Sequence, residues 1–209
     1  MKPQETRLGY LLVTSPVTNV FIGGLMVVDG RGLPLEFRYT EPVQPTRIQQ
    51  ILYGSALSRY IKTEVILETL LKSLEIKPNL LIVNEDNFLT DIAITDFEMV
   101  RILETKSGPL KSGVGSVEKI STLEFLMQLT GESSPIRVQL AGSVSEGSVN
   151  GPKSLPDKVK EPEPDFTQSP VYALLLDIGR MTDILEPVKR VEKALTVLCQ
   201  EAGIKSGTP

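Results

Sequence analysis

The chain has 209 residues, of which 41% are hydrophobic and 23% charged, and this composition is typical of globular proteins that bury a core. The formal net charge of −4 argues against nucleic acid as the principal partner, since proteins that bind a phosphate backbone usually carry excess Lys and Arg. Histidine is absent and Cys199 is the only cysteine. These facts exclude Ser-His-Asp and Cys-His nucleophiles, His-ligated metals and Cys-rich zinc sites.

The sequence gives no sign of a membrane or secretory segment. Residues 1–7 are polar and lack the apolar core of a signal peptide, and the longest apolar runs are too short to span a bilayer. The sequence therefore predicts a cytoplasmic location and no membrane partner.

The first half of the chain predicts an α/β unit. Residues 9–40 form three apolar or alternating runs separated by turn signals, which predict an antiparallel meander. Apolar residues at spacings of three and four predict a long crossover helix over 46–76, and an apolar strand follows at 80–84. A helix between two parallel strands forms a right-handed crossover, so the predicted sheet order is third, second, first, fourth strand.

The second half predicts further strands at 98–103, 135–140 and 171–178, a helix over 122–130, and a C-terminal helix over 186–202. The helix over 122–130 is indicated by the capping box of Ser121 and Glu124. Gly, Ser, Pro, Glu and Lys dominate residues 141–169, which predicts a flexible, disordered insertion or linker. We therefore expect one mixed-sheet α/β domain, with a core at 1–140 and a strand and helix at 170–209 that complete it.

Four carboxylates stand at or near the ends of predicted strands: Asp29, Glu85, Asp86 and Asp177. Acidic residues in such places could hold divalent ions for phosphoryl transfer. The predicted sheet order is similar to the opening of ribonuclease H-like folds, and this resemblance of topology implies a metal-dependent nuclease with an essential acid on the first strand. The first predicted strand, residues 9–13, contains no acid.

The sequence favours a non-enzymatic adaptor, scaffold or regulatory subunit that acts through protein contacts or self-association, with no cofactor, metal or catalytic residue. Its candidate contact surface is the alternating edge strand, with Leu35, Phe37 and Tyr39 on one side. The metal-dependent nuclease is the first alternative. A nucleic-acid-binding adaptor is the second, and it would use two groups of basic residues: Arg101, Lys106, Lys111 and Lys119, then Lys189, Arg190 and Lys193.

Overall fold

The computed structural model describes residues 6–90, 97–142 and 165–204. These residues form one mixed sheet of eight strands in the order β3-β2-β1-β4-β5-β8-β7-β6, which confirms the predicted fold class and the order of the first four strands. The strands are β1 Arg7–Val17, β2 Val20–Asp29, β3 Pro34–Tyr39, β4 Leu80–Val83, β5 Met99–Leu103, β6 Val117–Ser121, β7 Glu124–Met127 and β8 Ile136–Leu140.

The antiparallel meander of β1, β2 and β3 forms one end of the sheet, with β3 at the edge. Strand β2 pairs antiparallel with both β1 and β3, and every residue of β2 is buried because helices cover both of its faces. Strand β3 is the edge, and its alternating polar residues leave it partly exposed. Strands β4 and β5 run parallel to β1, as the crossover requires.

The predicted helix over 46–76 is a series of short helical segments. Helix α1 (Arg47–Tyr53) begins at the capping box of Thr46 and Gln49 and ends at Gly54, whose φ of +53° interrupts the helix. After a 3₁₀ turn, residues 57–72 continue as α2 (Leu57–Tyr60), a π-helical stretch (Ile61–Leu67) and α3 (Glu68–Lys72). We call residues 57–72 the crossover helix.

Two apolar cores lie on the two faces of the sheet. On the first face, helices α5 (Pro170–Gly179) and α6 (Glu186–Glu201) pack against the sheet, and this core includes buried residues of β2, β1, β4, β5, β8 and β7. On the second face, the crossover helix and the short α4 (Asn87–Thr90) cover strands β2, β1 and β4. The second core ends at Met99 on β5, so no described helix covers this face over β8, β7 and β6.

The prediction of a strand over 171–178 is wrong, because these residues lie in helix α5. A continuous apolar run does not distinguish a buried strand from a buried helix. The deciding signals are local: the Ser169 side chain caps the helix at the backbone N–H of Tyr172, and Pro170 occupies the first helical turn.

The prediction of a helix over 122–130 is also wrong, because Glu124–Met127 is strand β7. The expected capping interaction is replaced by cross-strand contacts, since the Glu124 carboxylate accepts hydrogen bonds from Arg137 and Gln139 on β8. Phe125 and Met127 alternate with these polar positions and enter the first core. Tertiary pairing therefore overrides the local helix signal.

Most of the predicted flexible segment over 141–169 lies outside the described residues. Its C-terminal end is packed, because Phe166 is buried and stacks on Phe125 with ring centroids 4.5 Å apart. Within the described ranges, no helix has the length and apolar character needed to cross a membrane.

Candidate functional site

The sheet has a topological switch point between β1 and β4. From β1 the chain proceeds to β2 and β3 on one side, and from β4 it proceeds to β5 on the other. Ligands of open α/β sheets bind in the crevice at the carboxyl ends of such strands. Here the Asn84 side chain occupies the crevice, donating to the Val13 carbonyl at 2.9 Å and accepting from the Val13 N–H at 3.1 Å.

An ion pair lies beside this crevice. The Lys62 ammonium, from the crossover helix, is 2.7 Å from the Glu85 carboxylate, and both side chains are 20% exposed. Glu85 follows β4, so the pair links the helix to the strand end. The two charges of this pair offset each other.

Polar side chains cross the part of the second face that no described helix covers. We define the polar row as Arg101 on β5, Gln139 and Arg137 on β8, and Glu124 on β7. Arg101 pairs in register with Gln139, and Gln139 with Glu124, so these three side chains are neighbours on the same face. The Arg101 guanidinium donates to the Gln139 amide oxygen at 3.2 Å, and the Gln139 amide nitrogen donates to Glu124 at 2.7 Å.

The polar row carries more positive than negative charge. Glu124 is its only carboxylate, and the hydrogen bond from Arg137 holds the pKa of Glu124 below its ordinary value, against the partial burial that raises it. Glu124 is therefore ionised at neutral pH and balances one of the two arginines. The row retains a positive charge on a chain whose net charge is −4.

Asp29, the first of the four predicted carboxylates, stabilises the turn after β2. Its oxygens accept from the backbone N–H groups of Arg31 and Leu33 and from the Arg31 guanidinium. Burial raises the pKa of Asp29, but these hydrogen bonds outweigh it and lower the pKa below its usual range. The carboxylate is buried and has no free position for a metal ion.

The structure also keeps Asp29 and Glu85 far apart. Asp29 is opposite Arg7 at the start of β1, whereas Asn84, the neighbour of Glu85, bonds to Val13. The stretch of β1 between these two levels spans roughly 20 Å at about 3.3 Å per residue.

The remaining two predicted carboxylates have different surroundings. Asp86 immediately precedes α4, and its side chain accepts from the Asn87 N–H at 3.0 Å. Asp177 lies on α5 and, with Glu98 and Thr6, lines a cavity of about 500 Å³ near the start of β4. Among the described residues, no three His, Cys, Asp or Glu side chains are grouped so that they could hold a metal ion. The four carboxylates therefore do not fit a shared metal centre.

The predicted contact surface lies on the free edge of the meander. Leu35 and Tyr39 are exposed, while Phe37 is partly buried and stacks on Tyr39 with ring centroids 5.9 Å apart. No described residue of another element pairs with this edge along β3.

The two predicted groups of basic residues are dispersed. Arg101 belongs to the polar row, whereas Lys106 and Lys111 are exposed in the segment between β5 and β6. On α6, Lys189 pairs with Glu104 at 3.0 Å and Arg190 pairs with Glu186 at 2.9 Å. Among these basic residues, Arg101 belongs to a polar cluster on the sheet.

Sequence reasoning missed Arg137, Gln139 and Glu124 as members of a site. The available signal was the alternation of polar and apolar residues in β8, which places Arg137 and Gln139 on one face. Assigning residues 122–130 to a helix concealed the partner strand, and with it the polar row.

No protein-family model matches the sequence, and no curated protein matches it. Solved structures of endonuclease V are similar in fold. The Bacillus subtilis protein has a TM-score of 0.56 at 12% identity, and the alignment covers 97% of this chain and 86% of that one. The human protein has a TM-score of 0.51 at 12% identity, covering 94% and 86%. The Ciona intestinalis protein, solved with a 24mer DNA containing inosine followed by a ribo-adenosine, has 0.52 at 14%, covering 94% and 87%.

At these identities the similarity shows the shared ribonuclease H-like fold. It contradicts the prediction of a non-enzymatic adaptor or scaffold that acts through protein contacts, because the similar structures are those of endonuclease V. It also contradicts the argument against nucleic acid as a partner, since one of these structures contains DNA. Net charge misled that argument, because it averages over the whole surface and does not report a local patch.

Proposed function

We propose that this protein binds nucleic acid at the polar row, on the part of the second face that no described helix covers. The observation that carries the proposal is the fold shared with endonuclease V over 94–97% of this chain. Because one fold can carry several functions, the fold supports this proposal by analogy. The residues of the site must therefore be suited to binding nucleic acid.

The polar row supplies chemistry suited to a phosphate backbone. It offers a surplus cation and amide groups on an open face, beside the carboxyl ends of β4 and β5 where ligands of such sheets bind. Arginine contacts to phosphate position a nucleic acid without reading its sequence. We expect binding with little sequence preference. The predicted cytoplasmic location stays a prediction.

Cleavage of the phosphodiester backbone is the second candidate function, favoured by the endonuclease activity named for the similar structures. Asp29, Glu85, Asp86 and Asp177 do not meet in one site, so they do not fit the divalent ions that the nuclease alternative requires. Cleavage by this chain would need a different set of groups.

The test is fluorescence anisotropy with end-labelled 24-nucleotide single-stranded and duplex DNA and RNA, from low to moderate salt. We expect binding that weakens linearly with salt on a double-logarithmic plot. Absence of binding to every probe at low salt overturns the proposal. The same mixtures, incubated with Mg²⁺ or Mn²⁺ and analysed on denaturing gels, test cleavage, and shortened products would support the second candidate.

Hydrogen exchange locates the binding face. With a saturating oligonucleotide, we expect slower amide exchange in β5, β7 and β8 and unchanged exchange in β3. Protection confined to β3 would place binding at the meander edge and contradict the assignment to the polar row.

A further inference from the structure

Arg101 differs in its partners from the other arginines that are partly buried. Arg38, Arg137 and Arg190 each form an ion pair with a carboxylate. The Arg101 side chain makes one hydrogen bond, to the neutral amide oxygen of Gln139, and no carboxylate of the described residues forms an ion pair with it. Its Nε is shielded from solvent and has no hydrogen-bond partner; the Arg190 Nε is also shielded, but it lies 2.9 Å from the Glu186 carboxylate.

An arrangement of this kind is costly in the free protein. The shielded part of a guanidinium loses hydration that only an anion or several acceptors can replace. An unpaired N–H shielded from water adds a further penalty. Replacing Arg101 by an apolar residue of similar length would remove both costs, so folding alone does not account for an arginine at this position.

The surroundings of Arg101 keep it available to a ligand. The nearest carboxylate in the polar row, Glu124, is engaged by Arg137 and Gln139. The second core ends at Met99, two residues before Arg101, and the Arg101 residue is itself partly exposed. An anion approaching this face would meet Arg101 as the one row cation whose charge is unbalanced.

We propose that Arg101 binds a phosphate group of the nucleic-acid backbone and is the principal phosphate-binding residue of the polar row; this rests on the proposed function. The planar guanidinium presents parallel N–H donors whose spacing matches two phosphate oxygens. Gln139 orients it through the 3.2 Å hydrogen bond, acting as a positioning residue. Arg137, held by Glu124, provides a weaker second positive charge.

The test compares Arg101→Met with Arg180→Met, which removes the same charge from an exposed arginine after α5. In anisotropy titrations with a labelled 24-nucleotide single strand, we expect Arg101→Met to weaken binding about tenfold. Its slope of log affinity against log salt should fall by about 0.7, the value for one phosphate contact on a single strand. Arg180→Met should leave the slope unchanged. Equal affinities and slopes for the two variants overturn the inference while the proposed function stands.

A second variant and a second probe complete the test. Arg101→Lys keeps the positive charge but removes the parallel N–H donors of the guanidinium, so we expect an affinity between those of the wild type and Arg101→Met. This variant replaces Arg101→Met in the comparison if Arg101→Met does not fold. Inorganic phosphate should raise the melting temperature of the wild type and not of Arg101→Met. Phosphate binding without oligonucleotide binding would refute the proposed function and limit the site to free anions. Binding of neither probe would refute both.

Discussion

The second face of the sheet is divided into two halves that differ in what covers them. The covered half lies over β2, β1 and β4, where the crossover helix packs and apolar side chains such as Leu25, Leu81 and Ile66 are buried. The open half extends from Arg101 on β5 across β8 and β7, and its polar side chains include Gln139 and Glu124. One sheet therefore supplies a packed core and a polar surface, and the boundary lies on β5, where Met99 belongs to the second core and Arg101 to the polar row.

The largest expected difference between the halves is in packing energy. Ile66 lies on the crossover helix and is fully buried against the sheet, so Ile66→Ala should lower the free energy of unfolding by about 3–4 kcal/mol through lost burial and a cavity. Leu126 lies half-buried on the open half, and Leu126→Ala should cost about 1 kcal/mol. Urea unfolding measures both. Similar losses would show that the two halves are packed alike.

The close approach of the crossover helix to β2 gives the next effect. A Cβ added at Gly23 would lie only 2.2 Å from the Ile66 Cγ2 atom, so Gly23→Ala should force the helix away at a cost of about 2 kcal/mol. Gly108 has no atom within 4 Å of an added Cβ, so Gly108→Ala should leave stability within about 0.5 kcal/mol of the wild type. Thermal unfolding separates these cases, and a neutral Gly23→Ala would refute tight packing of the covered half.

Among the four predicted carboxylates, Asp29 should contribute to the stability of the fold. At pH 7, Asp29→Asn should lower the free energy of unfolding by about 1–2 kcal/mol, because charge-assisted hydrogen bonds to the turn are lost. The folded-state pKa of Asp29 is lowered, so its contribution is present above the unfolded-state pKa and disappears as pH falls through the folded-state pKa.

Urea unfolding at pH 7 and at progressively lower pH tests this linkage. The gap between wild type and Asp29→Asn should narrow below about pH 4, the ordinary carboxyl range. Asp177→Asn, at an exposed position on α5, is the control and should change stability by less than about 0.5 kcal/mol at neutral pH. A gap that widens on acidification would contradict the role of the ionised carboxylate in the turn.

The covered half of this face could be predicted from the sequence because its signals are periodic. Strands are indicated by the alternation in β3 and by the apolar run of β2. A helix is indicated by the three-to-four spacing of apolar residues in 57–72. The topology then follows from the right-handed crossover rule.

The open half could not be predicted in the same way. Its polar row depends on the registers that join β5, β8 and β7, and those pairings are long-range. The Ser121 and Glu124 capping pattern indicated a helix where β7 forms, so Glu124 was assigned to the wrong element. The candidate acids were chosen because they lie near strand ends. In the structure, Asp29 and Asp86 instead accept hydrogen bonds from backbone N–H groups in separate local segments, which only the three-dimensional arrangement reveals.

The smallest predicted effect concerns the charge balance of the open half. Glu124→Gln keeps the shape and an acceptor for Arg137 but removes the only carboxylate of the polar row. The row should then attract a phosphate backbone more strongly, raising oligonucleotide affinity two- to fivefold, the factor that about 0.5–1 kcal/mol represents.

Glu98→Gln is the matched control, since it removes the same charge from an exposed residue beside the cavity that Asp177 lines. If binding takes place on the open half, Glu124→Gln should tighten it more than Glu98→Gln, and the difference should shrink as added salt screens the charges. Anisotropy titrations at about 50 mM and 300 mM salt decide the matter, these concentrations spanning Debye lengths longer and shorter than about 10 Å. Equal gains from both variants would show that net charge governs affinity and that the open half has no special part in it.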